Sequence, residues 1–253
     1  MRSRLAQSVA IKGARLNAKN LLVVGAHSAD FVWRALGAIA LVTSHGGQAT
    51  VVALSYGERG ESGELWKEPG QNVENVKRIR HAEASAAAQI AGATFQCLDL
   101  GDYPLNVTDD AMEQLIALFR QSPPDVVLTH TPIDPFNPDH PTASQAAQRA
   151  RLLAAGAGVA SAFARITPPD LYFFEPHQPE LCDFVPNTFV DITPVMDVKM
   201  RAMQAMQAQS YLQTYYAELA SRRGNHARRI SGNAQIKHAE AYQRALPWVV
   251  ESL

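Results

Sequence analysis

The sequence contains only two cysteines, Cys97 and Cys182, far apart and without the close spacing of a thiolate metal site. That excludes a disulfide framework and a cysteine-built zinc module, and leaves two thiols suited to a reducing compartment. There is no run of about 18 apolar residues, so no membrane-spanning helix is expected. Net charge is nearly absent, with 23 Lys and Arg against 24 Asp and Glu. Nucleic acid or an anionic membrane would call for a positive excess, so neither is expected as a partner. Internal repeats and low-complexity linkers are missing as well. The first 20 residues lack acids altogether and carry Arg2, Arg4, Lys12, Arg15 and Lys19. They have neither a long apolar core nor a clear cleavage site, so they do not read as a secretory signal. Residues 1–19 read as a basic arm, free or packed on a neighbouring subunit, with a transit peptide as the alternative. One domain, 20–253, follows, and a cytoplasmic location is expected.

What is present is a regular alternation. "NLLVVGA" (20–26) and "ATVVALSY" (49–56) are short apolar runs suited to strands buried on both faces. "ATFQCLDL", "PDVVLTH", "LYFFEPH" and "TFVDIT" continue the series. Helical patterns lie between them: 31–47, about 72–91, "TDDAMEQLIALFRQS" behind the N-cap Thr108, and "TASQAAQRARLLAA". Two helices are expected to close the chain, "VMDVKMRAMQAMQAQSYLQTYY" and "NAQIKHAEAYQRAL". Alternation of this kind predicts an α/β fold, a single-domain three-layer sandwich around a mainly parallel sheet. Ligands then collect beyond the carboxyl ends of the strands. The methionine-rich stretch 196–209 reads as a packing face or subunit interface.

That rule places chemistry-bearing residues on one rim. The loop after the first strand offers His27 and Asp30; the loop after the fourth offers His130, Asp134, Asp139 and His140. Imidazoles and carboxylates from separate strand ends suit an open catalytic metal site, in which three protein ligands leave a position for water or substrate. The set also suits Fe²⁺, Mn²⁺ or Co²⁺.

"GAHSAD", "YGERG", "RIRHAEASAAAQIAGA", "PDVVLTH" and "NPDHPTAS" occur in an order and spacing that resemble the LmbE-like (PIG-L) zinc deacetylases. "KMRAMQAMQAQ" and "KHAEAYQ" are similar to that family's closing motifs, so the likeness runs from about residue 20 to the end. It implies a Rossmann-like fold, and zinc on His27, Asp30 and His140. The family's first motif is usually Ala-His-Pro-Asp-Asp-Glu, its first aspartate being the general base. Here that position is Ala29, and the glutamate position is Phe31. The family's His-Pro-Asp-His begins here with Asn137. Two residues that make amide hydrolysis work are thus replaced, and losing a general base costs about 10²–10⁴ in rate. "HSADF" is similar instead to the bacterial 4-oxalomesaconate hydratases of gallate and protocatechuate catabolism, a branch that adds water to a C=C bond. The resemblance also implies a trimer or hexamer. A zinc-dependent deacetylase of amino-sugar conjugates, or a non-catalytic binding protein on the same scaffold, are the alternatives.

A hydratase of an oxo-polycarboxylate needs proton carriers and cations on the same rim. Glu61 is the expected carboxylate near the metal-bound water, and His177 the second proton carrier. His130 and Asp134 are expected to orient ligands, and Asp139 either does so or caps the helix that follows. Arg59, Arg228 and Arg229, with Asn137, are the expected substrate contacts, because the guanidinium fork matches a carboxylate. Arg34 is a further candidate, and Arg80 reads more simply as an ion pair with Glu83.

Overall fold

The computed structural model describes residues 19–249. The basic arm lies outside these residues except for Lys19. β1 (Asn20–Gly25), β2 (Gln48–Ala53), β3 (Thr94–Cys97), β4 (Val126–Thr129), β5 (Asp170–Phe174), β6 (Thr188–Asp191) and β7 (Ala239–Arg244) form one sheet in the order β3-β2-β1-β4-β5-β7-β6. β3, β2, β1, β4 and β5 pair in parallel, while β7 runs antiparallel to both β5 and β6. β1 lies inside the sheet between β2 and β4, and Leu21–Gly25 are buried on both faces. Its side chains alternate, Leu21 and Val23 into one apolar layer, Leu22 and Val24 into the other.

The helices are α1 (Asp30–Arg34), α2 (Leu36–Ser44), α3 (Val73–Ile90), α4 (Asp109–Gln121), α5 (Asp139–Ala155), α6 (Met196–Ala205) and α7 (Leu212–Ser231). Thr108 caps α4, its side chain accepting from the Ala111 amide, and Asn72 caps α3 by accepting from Asn75. Met203 and Met206 are fully buried, so the methionine-rich stretch is a packing face.

Three expectations about the elements are corrected. The single helix expected over 31–47 is two, broken at Ala35. α2 starts afresh because its first amides, Gly37 and Ala38, donate to the Glu240 carboxylate at 2.8 and 2.9 Å. The closing helix over "KHAEAYQ" is instead strand β7. Its residues favour helix, but alternation sends Glu240 and Tyr242 to one side. There Glu240 also meets Lys199 at 2.6 Å and the Tyr242 hydroxyl at 2.6 Å. Burial and pairing on both edges outweigh propensity. The single helix expected over 195–216 is also two, α6 and α7, and α7 runs on through the basic "RRGNHARR". Gly224 is required there, since a Cβ would stand 2.0 Å from the Lys237 carbonyl oxygen.

Candidate metal centre

The carboxyl ends of β1 to β5 deliver the site. β1 is followed by His27 and Asp30, β2 by Glu61, β3 by Tyr103, β4 by His130 and Asp134, and β5 by His177. α5 begins one residue before His140. His27, Asp30, Glu61, Asn137, His140 and His177 are among the residues that wall one pocket on this rim.

At its floor, two imidazole nitrogens are left over. His27 Nε2 lies 3.2 Å from Asp139 Oδ2, and His140 Nδ1 lies 2.7 Å from Asp134 Oδ2. In each case the ring N–H donates to the carboxylate, which fixes the tautomer and leaves the other nitrogen as a lone pair. His27 Nδ1 and His140 Nε2 are both buried and without a partner. One nitrogen of each ring and a Glu61 oxygen lie within 4.8 Å of one another. Buried polar atoms are seldom left unpaired, and two convergent imidazole lone pairs fit a divalent cation.

Two carboxylates can complete the set. Asp30 Oδ1 is 3.8 Å from His140 Nε2, and Glu61 Oε1 is 3.8 Å from His27 Nδ1. Their surroundings differ. Asp30 is buried, with Oδ2 accepting from the His27 amide at 2.7 Å and lying 2.9 Å from His130 Nε2, and Oδ1 accepting from Arg34 at 2.7 Å. Burial opposes its charge, but His130 and then Arg34 hold the carboxyl well below the usual range. Glu61 is one quarter exposed and is held by two amides, Asn137 Nδ2 at 2.8 Å and Gln209 Nε2 at 2.9 Å. It stands at the mouth, and among the described residues no lysine or arginine pairs with it.

Burial pushes His140 down to about 3 and His177 down to about 4, so both are neutral at working pH. Tyr216, whose phenol burial holds protonated, lies 3.4 Å from His177 Nε2. Asp139 does not cap α5: it lies in the first turn, and its carboxylate accepts from the Tyr103 and Leu105 amides as well as meeting His27. Asn137 does not face the pocket as a free amide, because it is engaged with Glu61. Ala29 lines the pocket with only a methyl group, and Phe31 stacks on Phe95 in the core at 6.0 Å.

The expected arginine clamps are not brought to this pocket. Arg59 is exposed and turns its guanidinium to the Asp102 carbonyl. Arg228 is tied to Asn225 and to the Ile236 carbonyl, and Arg229 is exposed, both near the far end of α7. Three pocket residues escaped the sequence reading or were underweighted by it: Tyr103, Gln209 and Arg34. Tyr103 sits over Gly60, where a Cβ would fall 2.0 Å from its ring. Gln209 arrives from a distant segment that local pattern could not attach to the site. It also accepts from Arg80 Nη2 at 3.0 Å.

The family model described as PIG-L: GlcNAc-PI de-N-acetylase matches residues 22–151, which include His27, Asp30 and His140. The chain belongs to the PIG-L family. This PIG-L protein is 45% identical over 238 residues to the 4-oxalmesaconate hydratase of Pseudomonas putida, covering 93% of this chain and 92% of that one. The crystal structure of a 4-carboxy-2-hydroxymuconate hydratase from Pseudomonas putida superposes with a TM-score of 0.90 at 46% identity, covering 93% of this chain and 99% of that one. The diacetylchitobiose deacetylase of Thermococcus kodakarensis is 26% identical, over 81% of this chain and 80% of its own.

The Asp134–His140 pair carries a prediction. Asp134→Asn removes the carboxylate that orients the imidazole, and metal affinity is expected to fall by about 10–100-fold. Competition against a chromophoric chelator measures it; unchanged affinity would contradict the assigned tautomer.

The histidines carry another. Burial lowers His130, His140, His177 and His238, whereas His27 is raised, chiefly by its Asp139 hydrogen bond against the effect of burial. Burial also raises the Glu58 carboxyl, which offsets one of the four. In the unfolded chain all five imidazoles titrate near about 6.5. As pH falls below that value the unfolded state takes up more protons than the folded one. With His27 and Glu58 each offsetting one of the four lowered histidines, stability therefore declines on balance from about 6.5 toward about pH 4, by up to about 1.4 kcal/mol per pH unit for each histidine in excess. Urea midpoints of metal-free protein should fall steadily across that window, and a flat profile would contradict the buried neutral imidazoles.

Proposed function

We propose that this PIG-L protein is a metal-dependent hydratase that adds water to 4-oxalomesaconate, whose enol tautomer is 4-carboxy-2-hydroxymuconate, giving 4-carboxy-4-hydroxy-2-oxoadipate. The observation that carries the reading is the near-full-length likeness to the two Pseudomonas putida hydratases. Ala29 agrees with it. The pocket keeps imidazoles for a metal but has only a methyl group where the deacetylase motif carries its base.

His27, His140 and Asp30 would hold the cation, with zinc as the metal proposed. When bound it would supply Lewis acidity toward substrate oxygen. Each proton transfer is assigned to a residue of the pocket wall. His177 enters neutral and accepts the enol proton, then returns it to C3, which converts the enol to the oxo form. Tyr216 orients that imidazole through Nε2. Glu61 takes a proton from water while the water oxygen bonds to C4 and the C4=C5 electron pair moves toward C5. The same proton passes from Glu61 to C5, so both carriers end as they began. Asn137 and Gln209 keep the Glu61 carboxylate aimed. A cytoplasmic place in gallate or protocatechuate catabolism, and assembly as a trimer or hexamer, belong to the same proposal.

The test is incubation of zinc-loaded protein with 4-oxalomesaconate, followed by absorbance and by mass. Loss of the conjugated chromophore with gain of one water is expected. An unchanged chromophore, with acetate released from N-acetylated sugars instead, would favour the deacetylase.

A further inference from the structure

A tricarboxylate has to be drawn into a pocket that already holds acids. Asp30, Glu61 and Asp134 are among its walls, and a divalent metal offsets only part of their charge. Arg34 is the only lysine or arginine among the described residues that wall this pocket.

We propose that Arg34 is the residue that receives a carboxylate of the substrate, and that it makes the pocket selective for polycarboxylates. This rests on the hydratase reading for the identity of the substrate. The guanidinium is 6% exposed and fixed in place, because Nη1 donates to Asp30 Oδ1 at 2.7 Å and the Phe174 ring lies 5.9 Å from its central carbon. Its fork is incomplete. Nε is buried and has no partner. A buried guanidinium left partly unpaired is costly, and a carboxylate bound against this wall of the pocket would bring it a second counter-charge. The same side chain balances Asp30, so it joins the substrate to the metal ligand through one rigid cation. The arginines expected from sequence to do this work, Arg59, Arg228 and Arg229, lie outside the pocket walls.

The experiment compares wild type, Arg34→Gln and Arg34→Lys, each reconstituted with zinc and assayed for metal content. Binding of propane-1,2,3-tricarboxylate and of glutarate, which lacks the middle carboxylate, is measured by calorimetry alongside hydration kinetics. Wild type should prefer the tricarboxylate. Arg34→Gln should weaken it by about 10–100-fold, as for a lost hydrogen bond between charged groups, and should erase most of the preference. KM should rise more than kcat falls. Arg34→Lys keeps the charge and loses the fork, so it should lie between, with zinc retained. The proposal is overturned if the variants bind both acids as wild type does. It is also overturned if losses track missing zinc and vanish at saturating metal, since Arg34 would then only support Asp30. The binding measurements need no turnover. Arg34-dependent selectivity in a protein that leaves 4-oxalomesaconate unchanged would sink the hydratase reading and uphold this one.

Discussion

Glu61→Gln is expected to lower kcat by about 10²–10⁴ while leaving the metal content of the protein unchanged. The substitution keeps the shape and removes the proton acceptor. One of its two bonds can survive, because the new amide oxygen can still accept from Gln209, whose own oxygen is held by Arg80 and Trp33. The expectation follows from where Glu61 stands. It comes within 3.8 Å of His27 Nδ1 yet remains partly exposed, on a loop that opens to the pocket. A carboxylate so placed could in principle be a metal ligand instead. Metal analysis of the same preparation separates the two roles: inactive protein that keeps its zinc supports the proton carrier, and loss of zinc with activity makes Glu61 a ligand.

His140→Ala should remove both metal and activity. Its Nε2 is one of the two orphaned lone pairs, and no other described side chain can take its place from the start of α5. Lewis-acid stabilisation is worth several kcal/mol, which corresponds to about 10³-fold or more in rate at about 1.4 kcal/mol per decade. The fold should survive, because His140, though buried, lines the pocket beside Asp134 and belongs to neither of the two large apolar clusters. Asp30→Asn is a harsher change. It would leave Arg34 buried without its counter-charge, a loss of about 3–5 kcal/mol by analogy with other broken buried pairs. His140→Ala is therefore the cleaner test: correctly folded protein without bound zinc is the expected result, and full zinc occupancy would contradict the site.

Much of this was legible in the chain. The apolar run of β1 and the strand–helix alternation set the sheet, and the strand-end rule put His27, Asp30, His140, Glu61 and His177 on one rim. Sequence patterns failed where long-range contacts decide. Strand β7 is written in helix-favouring residues, and only the convergence of Lys199, Gly37 and Ala38 on Glu240 explains its conformation. Arg228 and Arg229 drew attention as a basic cluster, but α7 carries them away from the pocket. Arg34 reads in the sequence only as a further candidate clamp, because its value depends on burial beside Asp30. Gln209 lies 148 residues from the Glu61 it holds, too far for any local pattern to pair them.

The central claim is that a single metal held by His27, Asp30 and His140 makes this pocket a hydratase. Titrating chelator-stripped protein with zinc while following hydration of 4-oxalomesaconate tests it most directly. Activity should be absent without metal, rise in proportion to added zinc and level off at one equivalent per chain. Full hydration by metal-free protein would contradict the account.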